Sequence, residues 1–66
     1  MYKIKRKGII EFMSGYNVII SKRIGITKYT LSRILNGKQA TSYETAYCIT
    51  KIYNADKEVN DYFKLV

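Results

Sequence analysis

Apolar side chains recur three or four residues apart along most of this chain of 66 residues, which is the spacing of one face of an α-helix. Leu31 and Ile34 form the clearest pair, and Thr27 just before them is a residue type that caps helix N-termini. Short polar or glycine-containing segments separate the apolar stretches, and proline is absent. The pattern predicts about five short helices, at 5–13, 17–23, 28–35, 42–53 and, capped by Asp56, near the C-terminal end.

Glycines and polar capping residues mark where these helices begin and end. Gly25 tolerates a positive φ angle and is predicted to end the second helix, and Asn36-Gly37 is predicted to end the third. The spacing Thr41-x-x-Glu44 is that of a capping box, which predicts the start of the fourth helix. A short turn at Gly25 therefore joins the second and third helices.

A β-strand has only one clear candidate in the sequence. Residues 2–7, YKIKRK, alternate apolar and basic side chains, which is the period of a strand. Hairpin signals are poor elsewhere: Asn36-Gly37 is a hairpin dipeptide, but the residues before it have helical spacing. We therefore expect an all-α fold, a compact bundle of about five short helices in a single domain spanning 1–66.

The residue types present exclude several kinds of chemistry. Histidine is absent and Cys48 is the only cysteine, so neither an internal disulfide nor a convincing zinc site can form. No stretch approaches the roughly 20 apolar residues of a membrane-spanning helix, and the basic start lacks the features of a signal peptide. No catalytic arrangement is evident. We expect a cytoplasmic protein that is not an enzyme and uses no cofactor, metal or small-molecule effector.

Positive charge is concentrated in the first part of the chain. There are 12 Lys and Arg residues against 5 Asp and Glu, a net charge of +7. Nine of the basic residues lie within 1–38, where Glu11 is the only acidic residue, whereas 39–66 is nearly neutral. This asymmetry is typical of a protein with a polyanionic partner, and nucleic acid is favoured over a membrane because the charges belong to several capped helices. An ordinary solvated surface is the alternative explanation.

The spacing around Gly25 is that of a helix-turn-helix. Two helices joined by a tight turn approach closely beside it, which requires a small side chain such as Ser21 on the first helix and glycine in the turn. Leu31 then packs inward from the second helix. A helix presented in this way fits the major groove of DNA. The side chains on its outer side are Lys28, Tyr29, Ser32 and Arg33.

Two segments together carry a resemblance to a known family: NVIISKRIGITKYTLSRILNGK at 17–38 and SYETAYCITKIYNADKEVNDYF at 42–63. Residues 14–63 resemble the phage-repressor or Cro-type helix-turn-helix family, also called the xenobiotic-response-element (XRE) type, which has the lambda-repressor-like fold. The resemblance implies a sequence-specific double-stranded DNA-binding transcriptional regulator of bacterial or phage origin. A Cro-like repressor that binds a palindromic operator as a homodimer is the form we expect.

The resemblance also implies roles for individual residues. Asn17, at the start of its helix, is expected to contact a phosphate, and Lys38 is expected to contact one beyond the next helix. Arg33 is expected to read a base edge, with a bidentate pairing to guanine O6 and N7 as the natural choice. The complete predicted DNA-binding set is Asn17, Thr27, Lys28, Tyr29, Ser32, Arg33, Asn36 and Lys38.

The two ends of the chain are also predicted to contact partners. The last segment, 59–66, leaves apolar side chains to cover and is the predicted dimer surface. Residues 1–7 are interpreted as a basic N-terminal arm that follows phosphates or enters the minor groove, with a solvated chain end as the alternative. The basic residues of this arm are Lys3, Lys5, Arg6 and Lys7.

A second function class fits the same helices. A helix-turn-helix scaffold can serve as a protein-binding module, as in a phage-encoded inhibitor or an antitoxin. The salt dependence of binding separates the two classes, because each phosphate contact made by a DNA-binding protein steepens the loss of affinity with salt.

Overall fold

The fold of this chain combines four helices with a small antiparallel sheet. The computed structural model describes residues 1–11 and 14–66. Within them the order is β1 (Tyr2–Ile4), α1 (Ser14–Ile24), α2 (Lys28–Leu35), α3 (Tyr43–Tyr53), α4 (Val59–Tyr62) and β2 (Phe63–Leu65). The prediction of an all-α bundle with five helices is therefore wrong, because both ends of the chain form strands.

The predicted first helix, 5–13, is replaced by a strand followed by turns. Residues 2–4 form β1, and residues 5–10 form bends and turns, while residues 12 and 13 lie outside the described part of the chain. Gly8 has a φ angle of 87°, which a helix does not accept. The alternation in YKIKRK was thus a true strand signal, and pairing of β1 with the far end of the chain outweighed the helical spacing after it.

Strand β1 is paired on both sides. On one side it pairs antiparallel with β2, with Tyr2 opposite Leu65 and Ile4 opposite Phe63. On the other side it forms a bridge to Thr41, where the two residues exchange backbone hydrogen bonds of 2.7 Å each. The strand therefore holds both chain ends and the segment between α2 and α3 together. Residues 2–4 are part of the folded domain, not of a free basic arm.

Helix α2 begins and ends where the sequence predicts. Thr27 is its N-cap, and the Thr27 Oγ1 atom accepts a hydrogen bond of 3.0 Å from the backbone N–H of Thr30. Helix α1 ends at Ile24, close to the prediction, but begins at Ser14, three residues before the predicted start at 17. This earlier start changes the position of Asn17 within the helix.

The caps of α3 and α4 differ from the predicted ones. Ser42 is the N-cap of α3, with its Oγ atom accepting a hydrogen bond of 3.3 Å from the N–H of Thr45. Thr41 cannot cap this helix because the bridge to β1 uses its backbone and buries it. At α4 the N-cap is Glu58, not Asp56, and the N–H of Glu58 donates to an Asp61 carboxylate oxygen at 2.8 Å.

The core receives apolar side chains from both strands and all four helices. Its C-terminal members, Val59 and Phe63, are buried within the chain itself. They are therefore not available for the predicted dimer surface at 59–66, where Leu65 and Val66 stay exposed. The buried apolar residues are Ile4, Ile10, Ile20, Leu31, Ile34, Leu35, Ala46, Ile49, Val59 and Phe63.

Candidate nucleic-acid interface

The turn between α1 and α2 is built on a glycine in the left-handed region. Gly25 has a φ angle of 90°, as the sequence predicts. The backbone N–H groups of Gly25 and Ile26 both donate to the carbonyl oxygen of Ser21, at 2.9 and 3.0 Å. These bonds close the end of α1 and reverse the chain, so that α2 starts three residues later, after Thr27. The pair of helices with this short turn is a helix-turn-helix.

Helix α2 is anchored through one side and presents the other. Leu31, Ile34 and Leu35 are almost fully buried. Lys28 is exposed, and the ring of Tyr29 is 71% exposed. The predicted outward direction is confirmed for these two residues, whereas Ser32 and Arg33, which were predicted to project with them, are half-buried.

Arg33 lies on the outward side of α2, between two neighbours. Its guanidinium carbon is 5.8 Å from the centre of the Tyr29 ring, one turn earlier on the helix. Its Nε–H group donates to the Oε1 atom of Gln39 at 3.2 Å. Arg33 is half-buried. Gln39 was missed by sequence reasoning, since nothing local to its position signals that its side chain reaches back to α2.

The segment after α2 closes the helix with a glycine in the left-handed region. Gly37 has a φ angle of 75°, its N–H donates to the carbonyl of Ile34 at 3.1 Å, and the N–H of Lys38 donates to the carbonyl of Arg33 at 2.9 Å. This pair of bonds is the Schellman motif. Lys38, the last residue of the motif, is exposed. The motif places a basic side chain just past the end of the presented helix.

Ser32 and Asn36 are brought together rather than left independent. The Asn36 Nδ2 atom donates to the Ser32 Oγ atom at 3.3 Å, and both residues are half-buried. The hydroxyl of Ser32 keeps its own proton for a further acceptor, and the carbonyl oxygen of the Asn36 amide keeps its accepting capacity. The pair can present one donor from Ser32 to a phosphate or base.

Asn17 is not part of the interface. Its side chain is completely buried, and its Nδ2 atom donates to the hydroxyl of Tyr53 on α3. Since α1 begins at Ser14, Asn17 lies one turn inside the helix, where its side chain faces the core instead of the helix entrance. The predicted phosphate contact of Asn17 is therefore wrong, and this residue has a packing role.

The contacts of the half-buried Tyr53 shift the pKa of its hydroxyl. Burial raises the pKa of Tyr53 above its ordinary value of 10.0, the hydrogen bond from Asn17 opposes that rise, and the neighbouring Tyr16 hydroxyl adds to it. The Tyr16 and Tyr53 rings meet edge to face with their centres 5.7 Å apart. This cluster ties α1 to α3 behind the presented helix.

The basic residues of the N-terminal segment are divided between the sheet and the turns after it. Lys3 lies in β1 opposite Lys64 and is half-buried. Lys5, Arg6 and Lys7 are exposed in the bends that follow. The predicted contact of these side chains with phosphate stays a prediction. The side chains would make it from a folded turn and not from an extended arm.

Other kinds of site find little support in the described part of the chain. Residues 1–11 and 14–66 contain no group of His, Cys, Asp and Glu side chains that can hold a metal ion. In the same residues no helix is long and apolar enough to cross a bilayer. Cys48 is exposed on α3 as a free thiol.

Comparison with known proteins gives no relative to set beside this geometry. No protein-family model, curated protein or solved structure matches the chain.

Proposed function

We propose that this chain is a sequence-specific double-stranded DNA-binding transcriptional regulator, a Cro-like repressor that reads the major groove with α2. The observation that supports this most strongly is the two-sided character of α2, with Leu31 and Ile34 buried and Lys28 and Tyr29 exposed. A groove about 12 Å wide admits one helix, and the outer side of α2 carries the residue types that contact bases and phosphates. The resemblance to the XRE-type family agrees with this function.

The proposed contacts divide between bases and phosphates. Arg33 reads a base edge, and Lys28 and Tyr29, nearer the start of α2, contact a base or the sugar beside it. Lys38, exposed just past the end of α2, neutralises a phosphate. Phosphate contacts fix the position of the protein on the duplex, whereas the contacts of Arg33 supply sequence preference.

The proposal includes a homodimer on a palindromic operator, as in a bacterial or phage-infected cell. Major-groove helices of a dimer reach half-sites about 34 Å apart, which is one turn of DNA. Leu65 and Val66 are exposed apolar residues at the C-terminal end, and Met1, whose carbonyl accepts a hydrogen bond from the N–H of Val66 just beyond the strands, is also exposed. These side chains are the part of the predicted dimer surface that the fold leaves uncovered.

The test is a binding titration with three variants that each remove one positive charge. Fluorescence anisotropy of duplexes selected from a random pool gives the affinity for selected and unselected sequences at several salt concentrations. Arg33→Ala is expected to lower the preference for selected sequences. Lys38→Ala is expected to weaken binding to all sequences about equally. It is also expected to reduce the slope of log affinity against log salt concentration by about the amount of one phosphate contact. Lys57→Ala, on the exposed loop between α3 and α4, is the matched control and is expected to change neither.

One outcome would contradict this function directly. If Arg33→Ala and Lys38→Ala bind every duplex as well as Lys57→Ala does, α2 is not the surface that contacts DNA. The steep fall of affinity with salt is expected only from an interface that releases counterions from phosphates.

A protein-binding module is the second candidate, and it rests on a different surface. Tyr43 and Tyr47 are exposed on α3, with ring centres 6.1 Å apart, and Tyr2 extends the row at 5.4 Å from Tyr43. The side chains of Tyr43, Glu44, Tyr47 and Cys48 line a shallow, mainly apolar hollow. Exposed tyrosines are typical of protein interfaces. This candidate would be favoured if binding to a protein partner were lost in the double variant Tyr43→Ser, Tyr47→Ser and retained in Arg33→Ala.

A further inference from the structure

We propose that Gln39 is a positioning residue that aligns Arg33 for a guanine in the operator. The inference rests on the proposed function, and it adds a residue outside α2 that determines how well the guanine expected at Arg33 is recognised. It starts from the contacts of Arg33 with Gln39 and Tyr29, which sequence reasoning did not anticipate.

The hydrogen bond to Gln39 uses the one guanidinium nitrogen that is not needed at the end of the side chain. The Nε–H of Arg33 donates to Gln39 Oε1 at 3.2 Å. Nη1 and Nη2 carry the remaining N–H donors, which lie in one plane in a fixed fork. A fork of this kind matches the O6 and N7 acceptors of guanine in the major groove, whereas adenine offers a donor in place of O6. The geometry therefore selects guanine.

Tyr29 limits the guanidinium from a second direction. The ring lies one turn before Arg33 on α2, and the guanidinium carbon is 5.8 Å from the ring centre, which is cation–π distance. With Gln39 at Nε and the guanidinium carbon over the Tyr29 ring, two of the directions in which a long arginine side chain can move are occupied. Less rotamer entropy is then lost when the duplex binds.

The position of Gln39 is fixed by the turn that ends α2. The N–H of Lys38 donates to the carbonyl of Arg33 itself, at 2.9 Å, through the Schellman motif at Gly37. A Cβ atom at Gly37 would lie 3.7 Å from Ile4 in β1, so the turn also packs against the sheet. The backbone next to Gln39 is thus bonded to the residue whose side chain Gln39 holds.

A neutral amide suits this role better than a carboxylate. An ion pair would orient Arg33, but it would also offset the charge that attracts DNA. In residues 1–11 and 14–66 Arg33 has no ion pair, so its full charge is available to the duplex. Gln39 supplies direction without that cost.

The experiment compares three variants on one duplex pair. The selected operator is prepared with guanine or with 7-deazaguanine at each half-site guanine, which removes the N7 acceptor, and the ratio of the two dissociation constants is the discrimination. Gln39→Met keeps the length of the side chain but removes the acceptor and is expected to lower discrimination by about 3- to 10-fold, the effect of one hydrogen bond. Gln39→Glu keeps an acceptor and is expected to retain the discrimination, although its added charge lowers affinity for both duplexes. Arg33→Ala is expected to abolish it.

A measurement without DNA separates positioning from folding. In nitrogen-edited NMR spectra the Nε–H of Arg33 is expected to exchange slowly with water in the original chain and in Gln39→Glu, and fast in Gln39→Met. The melting temperature of each variant is recorded, and discrimination is compared at a temperature where all are folded.

The outcomes distinguish this inference from the function on which it rests. If no duplex is bound selectively, the proposed function and this inference fall together. If Arg33→Ala abolishes discrimination while Gln39→Met leaves both discrimination and Nε–H exchange unchanged, the function stands and the role of Gln39 is refuted. Reduced discrimination in Gln39→Met, retained in Gln39→Glu, supports it.

Discussion

Replacing Asn17 by alanine tests whether this residue supports the fold or contacts DNA. The side chain is completely buried, and it donates a hydrogen bond to the hydroxyl of Tyr53 across the interface of α1 and α3. The substitution leaves the Tyr53 hydroxyl without this donor and removes most of the Asn17 side chain from a packed position. We therefore expect Asn17→Ala to destabilise the fold and to leave the DNA affinity of the folded molecules unchanged.

The expected size of the effect follows from the cost of losing a part-buried hydrogen bond made by a fully buried side chain. Leaving a buried polar group unpaired costs about 1–3 kcal/mol. Domains are stabilised by about 0.05–0.15 kcal/mol per residue, so this loss is a large share of the total for a chain of 66 residues. Each kcal/mol moves the melting temperature of a domain of this size by about 4–8 °C. A fall of about 4–24 °C is expected.

The assay is a double-mutant cycle read by thermal and urea unfolding. Asn17→Ala, Tyr53→Phe and the double variant are compared, and a coupling of about 0.5–3 kcal/mol is expected for two side chains in direct contact. Asn60→Ala, on the exposed surface of α4, is the control and is expected to lie within about 0.5 kcal/mol of the original chain. An unchanged melting temperature together with weaker DNA binding in Asn17→Ala would refute the packing role and restore the phosphate contact.

Two further predictions concern backbone conformation and pH. Gly25→Ala is expected to cost about 1–2 kcal/mol of unfolding free energy, because a φ angle of 90° is strained for a residue with a Cβ atom although no atom lies within 4 Å of that Cβ. Gly15→Ala, in the first turn of α1 with equal space, is expected to stabilise by about 0.4–1 kcal/mol, and equal effects at the two glycines in urea unfolding would contradict this reasoning. Since burial raises the pKa of Tyr53, the hydroxyl of this residue loses its proton at a lower pH in the unfolded chain than in the folded one. The contribution of Tyr53 to the free energy of unfolding is therefore complete below pH 10.0 and is lost as the pH rises through the folded pKa. Tyr53→Phe is expected to flatten the alkaline part of the stability curve, and a curve that keeps its slope in this variant would disprove the linkage.

The elements that sequence reasoning predicted well are those with local signals. Helix α2 has a capping residue at Thr27, apolar residues on one side and a glycine at 37, and each of these acts within a few residues of the chain. The turn at Gly25 is local in the same sense. Such signals survive in the folded protein because the surrounding core agrees with them.

The strands could not be predicted in this way because their stability comes from distant partners. Tyr2–Ile4 is only a three-residue strand, and it is held by Phe63–Leu65 at the other end of the chain. The alternation of YKIKRK was visible, but nothing near it in the sequence indicates the partner. Thr41 shows the same effect, since its bridge to Tyr2 prevents it from capping α3.

In the candidate site, one error follows from a misplaced helix boundary and the other from a side-chain contact between different segments of the chain. Asn17 was expected at the N-terminus of its helix, but α1 begins earlier, at Ser14, so the Asn17 side chain faces the core. Gln39 was missed because its contact with Arg33 depends on the path of the chain after Gly37. The outward direction of Lys28 and Tyr29 was predictable, because it follows from the buried positions of the same helix.

The most direct test of the DNA-binding proposal is an NMR titration of the isotopically labelled chain with a selected duplex. Backbone amide shifts are expected to be largest from Thr27 to Lys38, and to shrink as salt is added at a fixed duplex concentration. Shifts that cluster on α3 around Tyr43 and Tyr47 while residues 27–38 stay unmoved would contradict the claim that α2 contacts DNA.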